Sequence, residues 1–500
     1  MLLILCLLAI PAGENSLRES QLVREMEAVL DAPDFADSFW GVSVYAPLRR
    51  RLIYTRHARH NFKPASNLKI LTTLLALDRL GPDYTFRTSL WGRPPQDGIL
   101  EGGLWLQGGG DPAFASQYLE ETARDWDLLL QPLLELGIHT IRGGLGLLPA
   151  SHPSPGFLPS WEWDDLGTSY TTPLEALVAA DGWFTVHAES DERGHWQWWL
   201  DPPDTPLVSV NLHPRPIEAA AHYNPFSGRL ELELPAQNCR QESLVCSHAH
   251  PAELFLLRMK AELRRHGIIL QDQAGETAPS GLTLLGRLPS QPLRHLATVL
   301  MKESQNHFAD RFWLAVSQEL SDGSSAAAAA HGSSLIREAM ELQGWPYRPG
   351  SQFVDGSGLS SQNSIRPLEL TALLLLGLHR SYAAAWLASF PILGRDGTLS
   401  ERGRSLSQGR VLAKTGYINR VRTLSGYAIT LGGEPLVFSF MANHYSCPTS
   451  QVNRSQDALC ELLVRLAPDV AVRRQLARRP AEQKAGEMEE LQNALLWRLP

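Results

Sequence analysis

Residues 66–77 read Ser66-Asn67-Leu68-Lys69-Ile70-Leu71-Thr72-Thr73-Leu74-Leu75-Ala76-Leu77. Leu68, Ile70, Leu71, Leu74, Leu75 and Leu77 recur at helical spacing and cover so much of the circumference that a largely buried helix is expected, stopping near Gly81-Pro82. Its first turn carries Ser66 and Lys69. Three residues apart on a helix, the two side chains share a face about one turn apart, within reach of a proton transfer. Of 45 basic residues only six are lysine: Lys63, Lys69, Lys260, Lys302, Lys414 and Lys484. The chain therefore uses arginine wherever a generic positive charge suffices, and the lysines that remain are informative. A guanidinium stays charged in a protein, whereas a buried ammonium, with a reference pKa of about 10.4, can be driven toward neutrality and serve as a base. The positive end of the helix favours the neutral amine and assists an oxyanion forming at the serine.

Before this segment, Leu17 to Leu30 reads as an amphipathic helix, and Trp40 to Ala46 and Arg51 to Thr55 as two strands, together a helix packed on a hairpin. From about residue 91 to 287 the chain changes character. Glycine turns (Gly102-Gly103, Gly108 to Gly110), proline clusters and short β-like runs mark inserted material. The glycines before Asp111 are not followed by Lys-Ser or Lys-Thr at phosphate-loop spacing, so a tight turn accounts for them. Trp161, Trp163, Trp183, Trp196, Trp198 and Trp199 fall in this region; stacking on sugars or peptides is conceivable, and core packing is the expectation. Helical patterns return at Leu293. Three β-rich runs follow, Arg410 to Lys414, Thr423 to Leu431 and Pro435 to Met441, the last two joined at Gly432-Gly433. Residues 467–500 are expected to form a helical tail.

Five hundred residues exceed what one core organises, and 44% apolar with 20% charged residues is ordinary for a compact globular protein. A net charge of -8 offers no basic field for nucleic acid. Met1 to Ala12 is an apolar run ending in small residues, followed by the polar stretch Gly13 to Ser16. Residues 1–16 therefore look like a secretory signal, too short to span a bilayer and without the basic residue expected ahead of the apolar core. Export is expected, with no transmembrane anchor. Leu5 before Cys6 argues against a lipoprotein. The other cysteines, Cys239, Cys246, Cys447 and Cys460, form two close pairs compatible with an oxidising compartment. Local pairing is the expectation; a zinc site from Cys239, Cys246, His248 and His250 is the competing reading, at a spacing that fits no common zinc motif.

Two further short motifs complete the pattern: Ser304-Gln305-Asn306 in a helical stretch, and Lys414-Thr415-Gly416 at a strand end. Each alone has an ordinary structural explanation. In this order, Ser-x-x-Lys opening a helix, then Ser-x-Asn, then Lys-Thr-Gly on a late strand, they resemble the penicillin-recognising serine acyl transferases. Asp355-Gly356-Ser357-Gly358-Leu359-Ser360 and Gly394-Arg395-Asp396-Gly397-Thr398-Leu399 narrow the resemblance to the class C low-molecular-mass penicillin-binding proteins, D-Ala-D-Ala carboxypeptidase/endopeptidases. It runs from about Val42 to Asn443 and includes Gly110-Asp111-Pro112 and Lys302 to Asp310. The long stretch between Lys69 and Ser304 also fits that group.

The resemblance implies an α+β fold: a penicillin-binding-protein/β-lactamase-like domain, a five-stranded antiparallel sheet with helices, from residues 17–90 and 288–466. A large, mostly β insertion at 91–287, expected to make two small domains, interrupts it. It implies Ser66 as nucleophile, Lys69 as base, Ser304 as proton relay, and Asn306 orienting Lys69 and the substrate amide. Lys414 and Thr415 would hold the terminal carboxylate, Gly416 and Tyr417 would also line the substrate, and the N–H groups of Ser66 and Tyr417 would receive the oxyanion. Stem peptides ending in D-Ala-D-Ala are the implied substrates and β-lactams the inhibitors, with no metal or organic cofactor. A serine β-lactamase and a catalytically silent peptidoglycan-binding protein are the alternatives. Three departures bear on substrate choice: Ser361 where Arg is common, Tyr417 where a small hydroxyl residue is usual, and Asp310 in place of Glu.

Overall fold

The computed structural model describes residues 16–120, 122–215, 218–235, 240–271, 277–320, 324–403 and 405–477. The signal-like segment up to residue 15, Cys239, and the tail beyond 477 lie outside them. Two compact units emerge: Met1–Pro82 with Ala297–Ser304 and Ser325–Pro500, and Asp83–Leu296 with Gln305–Ser324.

The first unit begins with α1 (Glu19–Leu30), β1 (Phe39–Ala46), β2 (Arg51–Arg56) and α2 (Leu68–Arg79). After the inserted unit come the end of α3 (Leu293–Glu303), α4 (Pro367–Leu378), β3 (Val411–Ile418), β4 (Val421–Ile429), β5 (Pro435–Asn443) and α5 (Thr449–Val464). The strands form one five-stranded sheet in the order β3-β4-β5-β1-β2, every neighbouring pair antiparallel. Strand alternation sets its two faces. Trp40, Val42 and Val44 of β1 pack with Leu22 and Met26 of α1 and Leu459 and Leu463 of α5. On the other face a Cβ at Gly41 would stand 2.4 Å from the Phe62 ring and 2.8 Å from Pro367, so glycine lets α4 approach. Every residue of α4 is buried, as its all-round apolar sequence demands. It packs on β1, β5 and α2, which makes it the floor under the helix that carries Lys69.

Three expectations about local structure are corrected. The helix begins at Leu68, and Ser66 occupies a 3-10 turn, Ala65–Asn67, ahead of it. Ser304 is not helical: its φ of +62° ends α3, and Gln305, extended, leads into the helix Asn306–Glu319. Lys414-Thr415-Gly416 lies inside β3, because Tyr417 and Ile418 continue the strand and pair with Arg422 and Val421. Beyond α5, Asp469 caps a short helix, Val470–Leu476, by accepting the Val472 N–H.

Among the described residues, the second unit is built on short strands in four sheets with helices Thr122–Glu135 and Pro251–Arg265. It holds two separate apolar clusters, one around Leu106, Trp126, Leu130 and Phe255, the other around Phe184, Val186, Leu230 and Leu232. Trp161 is buried, but Trp163, Trp198 and Trp199 are exposed, so core packing does not explain those three.

Local pairing of Cys447 with Cys460 is also overturned, while Cys239, the expected partner of Cys246, lies outside the described residues. Cys246, Cys447 and Cys460 are free thiols. Cys447 precedes α5 while Cys460 lies three turns into it, about 16 Å along the axis from the helix start, well beyond the roughly 5.5–6 Å that a disulfide spans. In the competing zinc set, His248 Nδ1 is 3.1 Å from the His250 N–H and Nε2 is 3.1 Å from Pro206 O. Both ring nitrogens are thus occupied by backbone groups, leaving His248 no lone pair for a metal. Alkylation of denatured, unreduced protein is expected to tag Cys246, Cys447 and Cys460; protection of Cys447 and Cys460 lifted only by reductant would contradict the structure.

The hairpin turn of β1 and β2 is anchored through a buried ion pair. Arg49 donates through Nε and Nη2 to the two Glu434 oxygens, each at 2.7 Å, and through Nη1 to Glu19 at 3.0 Å. The Glu434 side chain has no exposure. Arg49→Met would leave that carboxylate buried without its cation, so a loss of about 3–5 kcal/mol is expected. Urea unfolding measures it, and a loss under about 1 kcal/mol would show that the pair is not what holds the turn.

Candidate active site

The Ser66 turn is held from several sides. Ala65 adopts a φ of +46°, strained for a residue with a Cβ, so its surroundings must impose it. Asn67 Nδ2 donates to Lys414 O at 2.7 Å and Thr423 Oγ1 to Pro64 O at 2.8 Å, clipping the turn to β3 and β4. Two glycines allow the contact. A Cβ at Gly416 would fall 2.9 Å from Pro64 O and 3.0 Å from Ser66 N; one at Gly358 would fall 1.9 Å from Ala65 O. Ser66 itself stays half-buried, while Asn67 and Lys69 are buried.

Lys69 Nζ donates to Ser66 Oγ at 2.8 Å and to Ser357 O at 2.8 Å. The Asp355–Asn363 loop, whose role in the site the sequence reading did not identify, delivers that carbonyl. The buried Asp355 carboxylate accepts from the N–H groups of Gly358 and Ser360 and from Asn363 Nδ2, all at 2.8 Å. Burial raises its pKa, while those hydrogen bonds and the Lys69 charge favour the anion. Thr72 Oγ1 adds a bond to Gly356 O at 2.6 Å. The signal available in sequence was an acidic residue opening a Gly-Ser-Gly turn, a geometry in which a carboxylate caps its own backbone.

The second pair mirrors the first. Lys414 Nζ donates to Ser304 Oγ at 2.8 Å and to Thr415 O at 2.9 Å. Lys414 is fully buried. Burial first, and then repulsion from Lys69 and Arg422, pushes its pKa well below the ordinary lysine range, with Glu303 opposing. Ser304 is brought to it by the left-handed residue that ends α3. Thr415 Oγ1 lies 2.8 Å from Thr398 Oγ1. Ala413 donates its N–H outward to Pro391 O at 3.0 Å, so strand alternation puts the Tyr417 N–H on the same outer edge of β3. The Tyr417 ring is 56% exposed, with the Arg422 guanidinium 5.7 Å above it.

Seven of the eight expected site residues, Ser66, Lys69, Ser304, Lys414, Thr415, Gly416 and Tyr417, therefore belong to the first unit. Asn306 belongs to the second, where it opens the helix Asn306–Glu319 and donates from Nδ2 to Tyr170 O at 3.0 Å.

This arrangement offers a half-buried hydroxyl bonded to a buried amine, with a second serine-lysine pair formed by Ser304 at the end of α3 and Lys414 on β3, the equipment of a serine acyl-transfer enzyme. The family model for D-Ala-D-Ala carboxypeptidase 3 (S13) matches residues 22–466. A D-alanyl-D-alanine carboxypeptidase of an Actinomadura species is 27% identical over 514 residues, covering 96% of this chain and 91% of that one. The crystal structure of penicillin binding protein 4 from Haemophilus influenzae shares the fold, with a TM-score of 0.71 at 23% identity, covering 88% of this chain and 99% of that one. Its complex with a β-lactam superposes with a TM-score of 0.67 at 22% identity over the same shares of both chains. With the family model spanning nearly the whole described chain and the serine-lysine pairs in place, the protein belongs to the D-Ala-D-Ala carboxypeptidase 3 (S13) family of peptidases.

Proposed function

We propose that the protein hydrolyses peptidoglycan stem peptides ending in D-Ala-D-Ala through an acyl-enzyme on Ser66, and that β-lactams acylate the same serine. The observation that carries this reading is the 2.8 Å contact between the buried Lys69 amine and the half-buried Ser66 hydroxyl. Neutral Lys69 takes the Ser66 proton as Oγ attacks the carbonyl between the two D-alanines. The N–H groups of Ser66 and Tyr417 receive the developing oxyanion. Ser304, hydrogen-bonded to Lys414, gives its proton to the departing D-alanine amine and regains one from Lys69, which returns to the neutral form. Lys414 and Thr415 bind the substrate's terminal carboxylate, and Gly416 lets the strand close on the Ser66 turn. Asn306 acts on the substrate amide, the role the Ser-x-Asn pattern carries in the family it resembles. Water then releases the acyl group. The β-lactam complex of the Haemophilus protein supports the inhibitor assignment. The signal-like start supports export to the cell envelope, and among the described residues no helix is long and apolar enough to cross a membrane.

Intact-mass spectrometry after incubation with penicillin is the direct test: one adduct is expected on the wild type and none on folded Ser66→Ala. An adduct that persists on the Ala variant would refute Ser66 as nucleophile.

The two lysines should respond differently to arginine. A guanidinium cannot accept the Ser66 proton at working pH, so Lys69→Arg should slow acylation by about 10²–10⁴-fold. Lys414→Arg keeps a carboxylate-binding charge and should lose less, chiefly through weaker binding. Equal second-order acylation rates for the two variants would show the division between base and anchor to be wrong.

The depressed Lys414 pKa adds a pH signature. As pH rises, Lys414 loses its charge before an ordinary lysine would, and carboxylate binding weakens. The alkaline limb of the second-order acylation rate, which reports the free enzyme, should therefore set in below the reference lysine value of about 10.4. Lys414→Arg should move that limb to higher pH; a limb that stays in place would assign it to another group.

A further inference from the structure

Within the first unit, residues 394–399, Gly-Arg-Asp-Gly-Thr-Leu, have no part in the mechanism above, yet their side chains reach Lys302, two residues before Ser304, and Thr415, next to Lys414. Asp396 receives the Lys302 ammonium at Oδ2 and the Ile392 N–H at Oδ1, 2.8 Å away. Lys302 stands on the last turn of α3, two residues before Ser304. Thr398, two residues further along the loop, meets Thr415 through their hydroxyls at 2.8 Å. The loop lies close against the end of α3. Gly397 has a φ of +54°, and a Cβ there would stand 2.6 Å from Lys302 O. Its base is clipped to β3 by Leu393 N to Val411 O at 2.9 Å and Ala413 N to Pro391 O at 3.0 Å.

We propose that Asp396 and Thr398 are positioning residues that together form a brace fixing the separation between Ser304 and the Lys414-Thr415 segment. Ser304 needs one. Its left-handed backbone takes it out of the α3 hydrogen-bond ladder, so its side chain is located by where α3 ends. Thr415 lies on the sheet's edge strand, where a neighbouring strand restrains one side only. The loop grips one partner by an ion pair and the other by a hydroxyl contact. A single residue, Gly397, separates the two grips, too little chain for either to drift without pulling on the other. The inference rests on the reading of Ser304 and Thr415 as relay and anchor.

The test measures second-order acylation by penicillin, steady-state kcat and KM on a D-Ala-D-Ala peptide, and melting temperature, for Thr398→Val, Thr398→Ser, Asp396→Asn and the double variant Asp396→Asn/Thr398→Val. Thr398→Val should slow acylation about fivefold or more, the size expected for one lost hydrogen bond, while Thr398→Ser stays near wild type. Thr398→Val should act mainly on KM through Thr415, and Asp396→Asn mainly on kcat through Ser304. Once one grip is lost the other cannot set the span, so the double variant should be slower than wild type by clearly less than the product of the two single effects, and close to the worse single variant. Multiplying effects, a serine variant no better than valine, or wild-type rates in variants that melt normally would overturn the brace. These outcomes are distinct from failure of the parent reading. In that case wild-type protein would not be acylated at Ser66, and the comparison among the four variants would have no Ser66 adduct to follow.

Discussion

Two lysines with no exposed surface sit in one unit, each bonded to a serine hydroxyl, and the molecule around them is organised to tolerate that. Taking an ammonium out of water costs several kcal/mol unless hydrogen bonds replace the lost solvent. Lys69 recovers part of that from Ser66 Oγ and Ser357 O, and part from the Coulombic influence of the buried Asp355 carboxylate. Lys414 recovers part from Ser304 Oγ and Thr415 O, and the rest is relieved by its lowered pKa. For Lys414 that remaining cost shows as a lowered pKa, set by burial and by the neighbouring Lys69 and Arg422 charges.

The 2.8 Å contact between Lys69 and Ser66 requires the serine to be held in place. The Ser66 turn is consequently over-determined, with Ala65 in a left-handed conformation, Asn67 and Thr423 binding it to two strands, and Gly416 and Gly358 clearing the space for backbone to meet backbone. Strain of this kind persists only where the surroundings impose it. The five-stranded sheet is the rigid half of that frame and α4, buried on every side, is the other.

How much of this was legible depends on the range of the interaction. The strands of the sheet show in the period-2 alternation of Trp40, Val42 and Val44, and the helix after Ser66 in its leucines, because burial of one face writes itself into local pattern. The lysine-serine pair stands out because lysine is scarce in a chain that otherwise uses arginine for its positive charge. What the sequence hides is set by contacts between distant segments. Ser304 reads as helical since its neighbours on both sides are; only its place beside Lys414 requires the break. Asp355 looks like an ordinary turn residue until the buried ammonium nearby gives it an electrostatic role. The Cys447–Cys460 pair misleads in the same way, because separation along the chain ignores the helix that carries Cys460 away from Cys447.

The Ser-x-Asn motif shows why the long insertion is more than an appendage. The division between the two units falls between Ser304 and Gln305, so consecutive residues of one motif take their support from different cores. Ser304 is held by Lys414 in the first unit. Asn306 donates to Tyr170 O, and its helix is fixed by the fully buried Arg311, which donates to Gly110 O at 3.2 Å and Pro153 O at 2.8 Å. Gly110 has no side chain because a Cβ there would overlap that guanidinium at 1.9 Å. The Gly110-Asp111-Pro112 motif is therefore part of what places Asn306, although almost two hundred residues separate them in sequence. A chain that kept Ser304-Gln305-Asn306 but lost the insertion would retain the motif's letters and lose the contacts that orient its last residue.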